Sequence, residues 1–358
     1  MDNTTRSYII YFGLLIFSFL MATWADKWNN KKYIFWIALV LSFFIGFRHK
    51  SVGIDTNNYY NSFHALNSFS SANMYNDPGF YKVAYLLMKI KKDPYFPICV
   101  YSTISVFIMV YRLWDYRKTS SYNFAVLRYV SLFYFYEMNC MRQFFSMAIV
   151  FYGIKFLESR EYNKFVIFVL IASYFHIAAL TSLIYLALEK LRWKNLDRKQ
   201  KNIINLMYIF SPLAIFYVLN TTGDRVNPYF NTTSAISNYL SYFLKVSLFI
   251  AFIVISQSEY EKEKRTENGL IEYSNRKMQF IYYFIGMTLT GFGFVWAQFE
   301  RIGYFYYIFA PNYVGIVTKS KRYRALIIVI VLSIIIRAFY LSNITNSMGQ
   351  MPFKFNWE

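Results

Sequence analysis

The 358-residue sequence is 56% hydrophobic and 22% aromatic, more apolar side chain than one soluble core of this length can absorb, so it reads as an integral membrane protein. Its net charge of +19 does not point to nucleic acid, because the basic residues occupy the gaps between apolar runs instead of gathering in one patch. The two cysteines, Cys99 and Cys140, lie within or beside apolar runs and support neither a disulfide framework nor a metal site.

In chain order, apolar runs predict spans at residues 7–25, 33–47, 96–113, 123–138, 142–157, 203–219, 239–257, 278–297, 302–318 and 324–341. A stretch at 164–189 is ambiguous. The runs lack the period-2 alternation of a barrel strand, which leaves helices as the spanning element. The first run follows only Arg6 and meets no small-residue cleavage site before Asp26, so it is expected to be a retained span. The predicted fold is all-α, a single polytopic membrane domain over 1–358 with about 10–12 transmembrane helices.

Placing the loops 26–32, 112–122, 158–164, 190–202, 256–277 and 319–324 on one side collects there more than half of the 38 Lys and Arg. Basic loops favour the cytoplasm. Both termini and the long segment 48–95 are then expected outside, and 256–277 becomes a charged cytoplasmic loop. The stretch FVIFVLIASYFHIAALTSLIYLALE, 165–189, has basic residues on both flanks, yet it is too short to cross twice at about 20 residues per crossing. It predicts a re-entrant or short-helix hairpin over 164–189, bent near His176, with a single tilted helix as the competing arrangement. Irregular backbone at that depth must be buried in protein or line a wet cavity. Segment 48–95 is too long for a connector. Its amphipathic stretches SFHALNSFSSANMY and YKVAYLLMKIKK, separated by a turn at Asp77-Pro78-Gly79, predict an external cap.

Several basic residues have no topological task. Arg48 closes the second span, Arg142 opens the fifth, Arg225 lies in an outer loop, Arg301 sits in a tight outer turn, and Lys245 and Arg337 lie inside spans near their outer ends. Snorkelling, or pairing with Glu137 or Glu300, accounts for any one of them. Six together favour a cavity that binds an anion, and guanidinium forks match phosphate oxygens. Tyr59, Tyr60, Trp296, Tyr304, Tyr306 and Tyr307 nearby suit sugar faces, and interfaces collect such residues anyway.

His176 is the one histidine placed to serve as general base or phosphate ligand, with a polar packing role the alternative. Asp55, Asp77, Glu137 and Glu300 are outer carboxylates able to deprotonate a hydroxyl or orient a basic partner, and Glu137 also suits pairing with Arg142. No outer Asp-x-Asp, HExxH, CxxC, GxSxG or Walker loop is present, which speaks for metal-independent chemistry without a cofactor.

The ordered set FRHKSVGIDTNNYY (47–60), DPGFY (77–81), NCMRQFFSMAIVFYGIKFL (139–157), IASYFHIAAL (171–180) and ERIGYFYYIF (300–309) resembles the EpsG-type branch of the Wzy-like polysaccharide polymerases. The resemblance implies a bacterial cytoplasmic-membrane enzyme whose active site faces the periplasm or cell exterior. It would join undecaprenyl-diphosphate-linked oligosaccharides, moving the growing chain onto the non-reducing end of a new repeat unit of O-antigen, capsule or exopolysaccharide. It further implies Arg48, Arg142 and Arg301 on diphosphate, His176 and Asp55 near the transfer site, and a chain-length regulator and flippase as partners. Three readings compete: a lipid-linked oligosaccharide flippase, a glycosyltransferase using a polyprenyl-phosphate sugar, and a membrane O-acyltransferase. The unexplained charges cluster at one face, whereas a flippase needs them along a cavity open to both sides.

Overall fold

The computed structural model describes residues 2–189, 267–291, 297–319, 324–339, 346 and 349–358. The first helix, α1 (Asn3–Trp28), opens with the Asp2 carboxylate accepting from the Thr5 N–H and closes at Asn29, in the left-handed region that asparagine tolerates. Next comes α2 (Lys31–Gly46), followed by α3 (Thr56–His64), a 3₁₀ turn (Ser70–Met74), α4 (Pro78–Ile90) and α5 (Tyr95–Asp115). Then α6 (Tyr122–Arg128) runs through a π-helical turn (Tyr129–Tyr134) into α7 (Phe135–Asn139). The chain breaks at Cys140 and resumes as α8 (Met141–Glu158) and α9 (Tyr162–Phe175). A 3₁₀ segment (Ile177–Leu183) and α10 (Ile184–Glu189) complete this part, and α11 (Glu267–Gly291), α12 (Ala297–Tyr307), α13 (Ala310–Lys319) and α14 (Arg324–Phe339) follow. Among the described residues there is no strand; one antiparallel bridge joins Arg48 to Phe355.

By length and apolar composition, α1 and α5 are able to cross a membrane on their own. Tyr162–Phe175, Ile177–Glu189 and Ile327–Ile336 are apolar but shorter. Helix α2 buries one stripe, Ile34, Ile37, Ala38, Leu41 and Ile45, and turns a second apolar stripe outward, Phe35, Trp36, Leu39 and Phe43, whereas α8 and α13 are buried nearly all round. A helix apolar on both faces is suited to a buried core or to a lipid surround.

Contacts sort the helix termini into two ends. At one, Lys319 donates to the Arg117 and Lys118 carbonyls, Ser121 N–H donates to Gly315 O at 2.8 Å, and Arg112 bridges Glu158 and Asp115. Asp26 lies in the field of Lys319 and Arg117. Three of the basic loops, around 26–32, 112–122 and 158–164, therefore share this end with Lys319. At the other, the C-terminal segment stitches the fold together: His49 N–H donates to Lys354 O (2.8 Å), Gly53 N–H to Gly349 O (2.7 Å), Tyr11 hydroxyl to Gln350 O (2.7 Å) and Phe353 N–H to Ser7 Oγ (2.7 Å). Arg6 pairs with Glu358.

Three sequence expectations are corrected. The span expected over 302–318 is two helices, because Pro311 has no N–H to continue the ladder and Ile308–Phe309 turns instead. The charged loop expected over 256–277 is helical from Glu267 onward, where Leu, Glu, Lys, Arg, Met and Gln are good helix formers. Arg301 lies within α12, not in a tight turn, and the Tyr304 hydroxyl donates to Glu300 Oε1 across one helical turn at 3.0 Å. The spans expected at 203–219 and 239–257 lie outside the described residues, as do Arg225 and Lys245; so does the Arg337 side chain.

Candidate functional site

At the end opposite the basic loops, the helix break at Asn139–Cys140 is the point around which the charged side chains collect. Gly53 makes the close approach possible. Its φ of +90° is a left-handed conformation, and a Cβ there would meet Met138 O at 2.3 Å, so only glycine lets the segment after α2 lie on the end of α7. Two residues on, Asp55 N–H donates to Asn139 Oδ1 at 2.8 Å, and Thr56 hydroxyl donates to Met138 O at 2.8 Å.

Arg48 sits beneath this junction with no solvent exposure. Its Nε donates to Thr56 Oγ1 (3.3 Å), its Nη1 to Ile45 O and to Ser102 Oγ (3.3 Å), and its Nη2 to Met138 O (3.3 Å). The guanidinium joins α2, α3, α5 and α7 and presents no edge to the outside. Glu137, also fully buried, lies in the field of Arg48, with the Ser105 hydroxyl at its carboxylate. The pairing of Glu137 with Arg142 read from sequence is corrected: successive positions on either side of the Cys140 break face different ways, and Arg142 pairs elsewhere.

Arg142, half-buried at the first turn of α8, reaches across to the start of α4. Its Nε lies 3.3 Å from Asp77 Oδ2 and its Nη1 donates to Asn76 O at 2.7 Å. The same carboxylate oxygen lies 2.7 Å from His176 Nδ1, and Oδ1 accepts the Ile177 N–H at 2.9 Å. Burial works to raise the Asp77 carboxyl, but the hydrogen bonds from His176 and Ile177 and the charge of Arg142 outweigh it and hold the group below the usual carboxylate range. Asp77 is therefore an anion that orders three donors from two helices.

His176 ends α9 in an extended conformation, φ −156° and ψ 116°, and the 3₁₀ segment departs from it. Its ring is 7% exposed and stacks on Phe305 of α12 at 6.3 Å and 13°, while Nε2 is buried without a partner. A free polar atom at nine-tenths burial calls for an occupant.

Gly79 sets the spacing between α4 and α9, since a Cβ there would meet Tyr174 O at 2.1 Å and its ring at 2.5 Å. Gly79→Ala is expected to push the start of α4 off α9 and pull Asp77 from His176, at a cost of about 1–3 kcal/mol. Thermal unfolding of the purified variant checks this, and an unchanged midpoint would mean the contact relaxes without strain.

From α12, Arg301 contributes an exposed guanidinium that no side chain pairs among the described residues, and its carbonyl accepts from Gln143 Nε2 at 2.8 Å. Gln143 Oε1 accepts the Tyr136 hydroxyl at 3.2 Å, and the Tyr136 and Tyr304 rings meet at 4.4 Å. The Cys140 thiol lies in the joint field of Asp55, Glu300 and Arg301, and Tyr59 in that of Arg142 and Asp55. The structure thus brings Asp55, Arg142, His176 and Arg301 to one end around Cys140 and sets Arg48 and Glu137 below them. Sequence reasoning named Asp77 only as one outer carboxylate among four and missed Asn139 and Gln143. All three stand in the DPGFY and NCMRQ stretches, which was the available signal. Among the described residues no cluster of metal-ligating side chains occurs.

A family model matches residues 31–355, nearly the whole chain and every residue of this cluster. The chain belongs to the EpsG family. This is a family of Wzy-like polysaccharide polymerases, and lipid-linked oligosaccharides are the substrate class it suggests. No curated protein and no solved structure matches the chain. The Gly-x-Asp of residues 53–55 lies where the backbone touches Met138 and the Pro-Gly of 78–79 where α4 touches α9, so two of the stretches singled out in the sequence carry contacts that assemble the site.

Proposed function

We propose that this EpsG-family protein is a polytopic enzyme of the bacterial cytoplasmic membrane that joins oligosaccharide repeat units carried on undecaprenyl diphosphate, at its outer face. One observation carries the reading: an exposed guanidinium, a carboxylate-anchored guanidinium and an imidazole with a free nitrogen meet at the end of the fold opposite the basic loops. Segment 48–95 is the cap over that end, and the bend at His176 brings the imidazole to it.

In this reaction Arg301 and Arg142 bind the diphosphate of the donor. The acceptor sugar hydroxyl gives its proton to His176 Nε2 as its oxygen bonds to the donor's anomeric carbon. The bond from that carbon to the diphosphate oxygen breaks, and the electron pair leaves with the lipid diphosphate, whose growing negative charge the two guanidinium groups stabilise. Asp55, beside Asn139, is placed to hold a sugar hydroxyl. Arg48 and Glu137 support the site from below. A flippase and a chain-length regulator are the partners such a reaction needs.

Deleting the gene in its host and resolving the surface polysaccharide on a gel, with mass analysis of the lipid-linked pool, tests the proposal. The expected result is a single repeat unit, no ladder, and repeat units present on the outer leaflet. Units trapped inside would instead mean a flippase, a ladder lacking one substituent an acyltransferase, and a repeat unit short of one sugar a glycosyltransferase.

A further inference from the structure

The Asp77 carboxylate touches three donors that belong to different halves of the site. Oδ2 faces both His176 Nδ1 (2.7 Å) and Arg142 Nε (3.3 Å), and Oδ1 takes the Ile177 N–H (2.9 Å). An ionised carboxylate only accepts, so the ring nitrogen facing it must carry a proton. In the neutral imidazole the other nitrogen, Nε2, is then a bare lone pair. That atom is the one without a partner, in a ring pinned against Phe305.

We propose that Asp77 is the positioning residue of the site: it fixes His176 in the Nδ1–H tautomer, leaving the buried, unpartnered Nε2 as the lone pair that takes the acceptor hydroxyl's proton, and by the same oxygen aims Arg142 at the leaving diphosphate. The proton acceptor and the anion clamp are thereby held in one register by a single side chain. Asp77 itself touches neither sugar nor phosphate and takes no proton. The proposal rests on the polymerase reading for the identity of the hydroxyl, but the tautomer does not depend on it.

The Ile177 amide makes the substitution Asp77→Asn informative. That N–H needs an acceptor, so the asparagine oxygen must turn to it, and the amide NH₂ is left facing His176 Nδ1 and the Arg142 Nε–H. A donor there forces Nδ1 to become the acceptor, moves the ring proton to Nε2, and repels Arg142. Size and shape are unchanged.

The test uses full-length protein in lipid nanodiscs with ¹⁵N-labelled histidine, at a pH where the rings are neutral. The chain has three histidines, and substituting His49 and His64 assigns the third. The wild type should show the Nδ1–H tautomer at His176, and Asp77→Asn the Nε2–H tautomer, together with a fall in polymer formation of about 10²–10⁴-fold, the range of a lost general base. An Nε2–H tautomer in the wild type overturns the proposal, and this needs no variant to fold. A tautomer switch in Asp77→Asn that leaves polymer at the wild-type level overturns it as well. Failure of the polymerase reading shows separately, as a normal ladder after gene deletion.

Discussion

Arg142→Ala is expected to abolish polymer while the protein still folds and accumulates, with a modestly lowered melting temperature. Arg142 keeps 21% of its side chain exposed, and its partners are a carboxylate whose two oxygens each keep one other donor and a carbonyl at an exposed residue that water can satisfy. The pair is largely buried, but the carboxylate stays hydrogen-bonded, so its loss is expected to cost about 1–3 kcal/mol, less than the total stability of a folded domain. A positioned donor facing charge that develops in a transition state is worth about 10²–10³-fold in rate, and a guanidinium that binds phosphate by two parallel hydrogen bonds is not replaced by the single ammonium of lysine. Arg142→Lys should therefore also lose most of the ladder. Polymer on a gel, read beside the melting temperature of the purified variant, checks both, and a full ladder from either would remove Arg142 from the chemistry.

Arg48→Ala should fail in the opposite way, by loss of folded protein. Its guanidinium is wholly buried, and its hydrogen bonds tie four helices that meet under the site. Removing it leaves the Ile45 carbonyl short of a donor, a cavity the size of a large side chain, and the Glu137 carboxylate buried without a countercharge. Breaking a buried charge interaction from one side costs about 3–5 kcal/mol. Lysine cannot repair it, since one ammonium cannot reach acceptors on α2, α3, α5 and α7 at once. The decisive measurement is thermal unfolding with expression level: a variant that melts normally and makes no polymer would return Arg48 to a direct part in binding. The sequence motif groups Arg48 with Arg142 and Arg301 as diphosphate ligands, and burial is what separates them.

How far the site was legible follows from how each residue announces itself. His176 stood out because 164–189 cannot cross twice as regular helix, a constraint of length alone, and α9 does end beside it. Arg142 and Arg301 stood out because charge at the outer margin of an apolar run has no topological use. Asp77 did not, because an aspartate before Pro-Gly is an ordinary way to begin a helix, and its partners lie 65 and 99 residues further along the chain. Arg301 was misplaced because it falls between the apolar runs 278–297 and 302–318, whereas Gly303 lets α12 pack on the α11 backbone, where a Cβ would meet Thr290 N at 2.7 Å.

By itself the sequence determined the all-helical class, the family and the sharing of one end by the described basic loops, because hydrophobicity, helix-compatible run length and charge between runs are local properties of the chain. Only the tertiary structure decided which arginine is framework and which is free, which carboxylate serves His176, and that Glu137 lies beneath the site. Those depend on the lateral packing of helices distant in sequence, where a single backbone contact, such as Gly53 on Met138 or Gly79 on Tyr174, determines which side chains can reach one another.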